Sequence, residues 1–178
     1  MLLTIGEILR DNETLLLKYI LVTGIRKNEA IKSFNLIIDL AKAGELDRYY
    51  SSDLGILEHY KQKDANGNFM FLKATKKLYI SIASKTLVDE ITQSNKVSYP
   101  AIRKRITRAK HNIRIKELRS YFATYLRQHG ILAEYIDLLQ GRIPKSVFAR
   151  HYLKVDDVKE LVENVNAVNS TIERDLLS

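Results

Sequence analysis

Ile115-Lys116-Glu117-Leu118-Arg119-Ser120-Tyr121-Phe122-Ala123-Thr124-Tyr125-Leu126-Arg127-Gln128-His129 is the stretch whose reading decides the fold. Leu118, Phe122 and Tyr125 recur at i, i+4 and i+7, the spacing of one apolar helix face. Lys116 and Arg119 are three apart, so they project together from a neighbouring face, with Cβ atoms about 5–6 Å apart. Two like charges side by side repel unless an anion lies between them, and a phosphate would serve.

The chain around this helix has the composition of a folded domain. Its 178 residues are 46% apolar, enough for one domain with a sizeable core. A net charge of +8 and a pI near 9.5 favour polyanionic partners, nucleic acid ahead of an anionic membrane surface. The absence of cysteine excludes disulfides, thiolate nucleophiles and cysteine-ligated zinc. No apolar run is long enough to span a bilayer, and Glu7 and Asp11 follow Met1 too soon for a signal peptide. The chain reads as soluble and intracellular, in the cytoplasm.

Taken in order, Asp11 or Asn12 would cap a helix through Val22, apolar almost all round and therefore buried. Gly24 stops it. A second helix runs to about Ala43, with Ile31, Phe34, Ile38 and Ala41 facing inward. Leu57–Tyr60 and Phe69–Leu72 flank an Asn66-Gly67 turn, and Leu78–Ile82 follows the turn Lys73-Ala74-Thr75-Lys76-Lys77, which predicts a three-stranded antiparallel sheet. Helices resume at Ser84 and at Tyr99-Pro100. Between Lys96 and Arg119 nine Lys and Arg residues face a single acid, Glu117, a sign bias that suits phosphate contacts. From Asp156, Val158, Leu161, Val165, Val168, Ile172 and Leu176 form one apolar stripe, which either packs on its own core or docks on a neighbouring subunit. The expected fold class is α+β, mainly α.

Five short patterns fall in order along this frame: Thr23-Gly24-Ile25-Arg26 with Glu29, the lysine turn, Lys116-x-x-Arg119, Gln140-Gly141-Arg142, and Tyr152 ten residues later. Together they resemble the catalytic domain of a tyrosine recombinase, over nearly the whole chain. That family commonly has His-x-x-Arg and Leu-Gly-His where this sequence has Lys116-Glu117-Leu118-Arg119 and Gln140-Gly141-Arg142. The lysine and arginine variants are most similar to integrases of archaeal spindle-shaped viruses.

The resemblance implies a site-specific DNA recombinase or integrase. Its catalytic residues would be Arg26, Lys73, Lys116, Arg119, Arg142 and Tyr152. Tyr152 would attack a DNA phosphodiester, giving a 3′-phosphotyrosyl intermediate and a free 5′ hydroxyl, and strand exchange and religation would follow. The implied partner is a double-stranded DNA attachment site, bound by a homo-oligomer (a tetramer on DNA) joined through the helix at about 156–178. Residues 1–178 would form one catalytic domain without the family's separate N-terminal DNA-binding domain.

The chemistry is coherent from the residues themselves. A free tyrosine is only about one part in a thousand ionised at neutral pH, so neighbouring cations and a proton acceptor must activate it. Arg26 and Arg119 can each fork two N–H donors onto the non-bridging oxygens of a phosphorane. Arg142 adds a third donor but shuttles protons poorly. Lys73, with Lys76 and Lys77 as rivals, would protonate the leaving oxygen by analogy with the family's hairpin lysine. With arginines in place of a metal and transesterification conserving bond energy, the expected cofactors are none, neither metal nor ATP. His59, His111, His129 and His151 lack metal-site spacing, and His151 points away from its neighbour Tyr152 on a helix. The competing readings are a basic DNA-binding module without catalysis and a helical interaction protein.

Overall fold

The computed structural model describes residues 8–73, 76–109, 114–143, 147 and 155–177. Helix α1, Asp11–Thr23, is the axis of the domain. Leu16, Leu17, Tyr19, Ile20, Leu21 and Val22 are all buried, as an apolar-all-round helix requires. Helix α2, Lys27–Ala43, and helix α3, Lys85–Thr92, pack on one side of it. Helix α4, Tyr99–Arg108, carries Pro100 in its first turn and buries Ile102 and Ile106. Helix α5, Ile115–Gln128, crosses α1, and α6, Ala133–Leu139, and α7, Val155–Leu177, follow it.

Strands β1 (Tyr50–Ser51), β2 (Ile56–Leu57), β3 (Leu72–Lys73), β4 (Lys76–Lys77) and β5 (Ser81–Ile82) are short. The three-stranded antiparallel sheet has the order β1-β2-β5, with Tyr50 opposite Leu57 and Ile56 opposite Ile82. The α+β, mainly α class therefore holds, but one of the sheet's strands is not an expected one, and the expected strand Phe69–Leu72 is not in the sheet. Tyr50–Ser51 takes an edge, His59–Lys61 is a 3₁₀ turn, and Phe69 makes only an isolated bridge to Lys63. The chain does reverse at Asn66-Gly67, with the Asp64 N–H bonded to Asn68 O at 2.9 Å. Asp64 Oδ1 caps the turn by accepting the N–H groups of Asn66 and Asn68 at 2.9 Å, but the flanking residues pair only at Lys63 and Phe69. The lysine turn is a separate hairpin, β3–β4.

Two further expectations shift. The N-cap of α1 is Arg10, not Asp11 or Asn12: Glu13 accepts the Arg10 backbone N–H at 3.1 Å, while Asn12 reaches out to the carbonyls of Asn95 and Lys96. The inward face of α2 is Ala30, Ser33, Phe34, Ile37 and Ile38, leaving Ile31 and Ala41 only half-buried. Ser33 can lie inside because it belongs to a buried polar spine. Its Oγ is 2.6 Å from Tyr19 Oη and 2.7 Å from Tyr49 Oη, Tyr49 Oη is 2.7 Å from His59 Nδ1, and His59 Nε2 is 2.8 Å from Ser81 Oγ. Burial drives the His59 pKa down to about 3, so the ring is neutral and holds the spine together as a hydrogen-bond link.

The core forms two clusters that meet at α5. Ile115 and Leu118 join the one built on α1–α4, and Phe122 and Leu126 join the one formed with the sheet, α6 and α7. Leu161, Val165, Val168 and Ile172 of α7 are buried in the chain's own core, and Asn169 Nδ2 donates to the carbonyl of Val22 at 3.0 Å. The C-terminal stripe thus packs in cis, and Leu176 lies outside the described side chains. No helix among the described residues is long and apolar enough to cross a membrane.

Candidate active site

Two glycine turns bring distant parts of the chain together. Gly24 ends α1 in the left-handed region (φ 64°), its N–H bonded to Ile20 O at 2.9 Å. A Cβ there would run into the Phe122 ring of α5, so only glycine allows this turn to lie against that helix. Gly141 ends α6 in the same conformation (φ 63°). Its N–H bonds to Leu138 O, and that of Arg142 to Asp137 O at 2.8 Å, a Schellman closure. A Cβ at Gly141 would meet the Lys77 carbonyl, which seats this turn on the β3–β4 hairpin.

Arg119 ties the two turns together. Its Nη1 donates to Gly24 O at 2.9 Å and its Nη2 to Gln140 O at 2.8 Å. Each acceptor lies two residues before another arginine of the predicted set, Arg26 or Arg142. Burial first, then the charges of Arg26 and Arg142, lower the Arg119 pKa to about 10, with Glu29 and Asp137 acting in the opposite sense. Those two carboxylates pair with the flanking arginines: Arg26 Nη1 lies 3.2 Å from Glu29 and Arg142 Nη1 lies 3.1 Å from Asp137. Arg26, Arg119 and Arg142 therefore sit close enough to act on one another, and Arg119 keeps further N–H donors beyond its two carbonyl bonds.

Lys73, at the end of β3, lines a concave pocket of about 380 Å³ together with Arg26, Lys27, Glu29, Lys32 and Phe71. Lys77 lies next to the Gly141 turn, and the Lys76 side chain lies outside the described residues. A larger groove of about 1080 Å³, lined by Arg10, Asp11, Asp89 and Glu90, opens at the start of α1, a helix of 13 residues that ends at the Gly24 turn. At about 1.5 Å per residue that groove is far from the arginines, and the charged residues in its lining are mostly acids, so size does not mark the site here.

Lys116 departs from expectation. It is exposed and has no part in the tie that Arg119 makes to the two turn carbonyls. Tyr152, His111 and His151 lie outside the described residues. His129 closes α5, its ring stacked on Tyr125 with centroids 4.2 Å apart. No group of three or more His, Asp or Glu among the described residues is arranged to hold a metal ion.

Some participants gave little sequence signal. Gln140 is fully buried beside Arg119, and Lys27, whose Nζ sits 3.3 Å above the Tyr99 ring, and Lys32 join Arg26 in its pocket. On α4, Arg103, Lys104 and Arg108 are exposed, while Arg105 is held by buried Glu13 at 3.0 Å. Of the expected basic stretch, Lys96, Arg114 and Lys116 are also exposed among the described residues. A family model described as archaeal phage integrase matches residues 6–164. No curated protein and no solved structure gave a significant match.

Proposed function

The chain belongs to the archaeal phage integrase family, and from that premise we propose that it is a tyrosine-type site-specific recombinase that cuts and rejoins double-stranded DNA. The observation that carries this reading is the tie made by Arg119 between the Gly24–Arg26 and Gln140–Arg142 turns. Arg26 and Arg142, from separate parts of the chain, both act on Arg119, and among the described residues two carboxylates pair with the flanking arginines. Such a cluster is stabilised by an anion, and a phosphodiester matches the forked geometry of guanidinium donors.

In the proposed reaction the Tyr152 oxygen attacks the scissile phosphorus and its proton passes to a base. Charge that builds on the non-bridging oxygens is met by Arg26, Arg119 and Arg142, held in place beforehand. The bond from phosphorus to the 5′ oxygen breaks, and Lys73, in the same pocket as Arg26, supplies the proton that makes it a hydroxyl. Lys116 would reach the same strand from the solvent side. The product, a 3′-phosphotyrosyl protein–DNA adduct, is reversed when a second 5′ hydroxyl attacks. Exposed Arg103, Lys104 and Arg108 would hold flanking phosphates, and further copies of the chain would assemble on the attachment site.

The test is to trap the protein on a nicked duplex whose cleaved end diffuses away, then map the modified residue. An adduct that survives denaturation, maps to Tyr152 and is lost in Tyr152→Phe supports the reading. Salt-sensitive binding with no adduct would leave a DNA-binding module without chemistry.

A further inference from the structure

Gln140 occupies the position before the Gly141 turn, fully buried, and touches Arg119 at both ends. Its backbone carbonyl accepts from the Arg119 guanidinium at 2.8 Å. Its side-chain Nε2 donates back to the backbone carbonyl of Arg119 at 3.0 Å. One residue therefore grips both the helix from which Arg119 springs and the group it presents. The grip is incomplete, because Gln140 Oε1 is buried with no hydrogen-bond donor among the described residues. An amide sealed from water with one end unsatisfied is destabilising, and an apolar side chain of similar size would avoid that cost. Stability alone does not call for glutamine here.

We propose that Gln140 is a positioning residue: its side chain locks the Gln140-Gly141 turn to α5, so that the Arg119 guanidinium stays aimed at the scissile phosphate. The proposal rests on the strand-transfer reading of the site and names how one of its arginines is oriented. Gly141 cannot do this by itself, since its turn is anchored on the hairpin side by Lys77 and on the α5 side through Gln140. Small misplacements of a charge-stabilising group cost far more rate than affinity, which separates this role from a general staple.

The experiment compares wild type with Gln140→Leu and with Gln140→Met, which keeps an unbranched side chain of similar length. Single-turnover cleavage of the nicked duplex should fall about tenfold or more in both. Duplex affinity should stay the same, and the melting temperature should be equal or higher. In a double-mutant cycle, Gln140→Leu should cost nothing further once Arg119→Ala is present. The Arg119 side-chain NMR signals, which two fixed carbonyl bonds should keep in slow rotation, should broaden or merge in the variants. Cleavage within twofold of wild type, additive losses with Arg119→Ala, or unchanged Arg119 signals would each overturn the proposal. A loss of rate that merely tracks loss of melting temperature and affinity would overturn it as well. Absence of any adduct from wild type would instead sink the strand-transfer reading, and the Arg119 spectrum would still decide the clasp.

Discussion

The polar spine from Tyr19 to Ser81 and the arginine cluster around Arg119 both carry polar groups into the interior, but they close differently. In the spine every link is neutral and each hydroxyl or ring nitrogen meets the next at 2.6–2.8 Å. It joins α1, α2, the 3₁₀ turn at His59–Lys61 and β5, with nothing left over for a ligand. Around Arg119 three cations crowd together, one buried amide oxygen has no donor among the described residues, and a concave pocket adjoins Arg26. A network closed on itself serves stability, whereas one left short of anions is where a phosphate would be stabilised. Burial alone does not distinguish them, but the charge balance does.

The comparison breaks most sharply at the residue proposed to use the cluster. Tyr152→Phe should abolish the covalent adduct while the melting temperature stays unchanged, read by denaturing gel and calorimetry. Next comes Arg119→Ala, which should slow single-turnover cleavage by about 100- to 1,000-fold, the usual cost of removing one preorganised donor to a developing charge. Loss of the ties to Gly24 and Gln140 should also lower its melting temperature. The opposite pattern is expected in the spine. Tyr49→Phe strands Ser33 and His59 and should cost about 1–3 kcal/mol in denaturant unfolding, with cleavage unchanged below the transition.

Acid should separate the two regions in a further way. Folded His59 stays neutral because its pKa is lowered from 6.5 to about 3, whereas the unfolded chain binds that proton below about 6.5. Acid therefore favours the unfolded state, and the spine's contribution is complete above 6.5 and declines toward 3. Across that window one proton is worth about 1.4 kcal/mol per pH unit. The stability advantage of wild type over His59→Gln should shrink accordingly as pH falls, and parallel pH profiles would remove His59 as the cause. The smallest effects are expected on α4. Arg103→Ala or Arg108→Ala should weaken duplex binding modestly and alike across sequences, each reducing the salt slope by about one.

Much of the frame was legible because it rests on local rules. Gly24 as a stop, the buried periodicity of α1, a helix beginning near Ser84 and the span of α5 follow from backbone freedom and helix period. The three arginines could be picked out by motif order, and their two turns do meet at Arg119. What stayed hidden depends on distant partners. Tyr50–Ser51 becomes a strand only because Ile56–Leu57 lies beside it, and Ser33 turns inward only because Tyr19 and Tyr49 wait there. The spacing of Lys116 and Arg119 says nothing of the two carbonyls, remote in sequence, that accept from the arginine. Gln140 read as a variant position, since no periodicity signals a buried amide that clasps a neighbouring helix.

The most direct measurement of charge neutralisation by this cluster uses a duplex with a methylphosphonate at the scissile position, which lacks one negative charge. If Arg119 serves to offset that charge, Arg119→Ala should cleave the methylphosphonate duplex far better, relative to wild type, than it cleaves the natural phosphate. Equal loss on both substrates would contradict the account, leaving Arg119 as a structural tie between two turns.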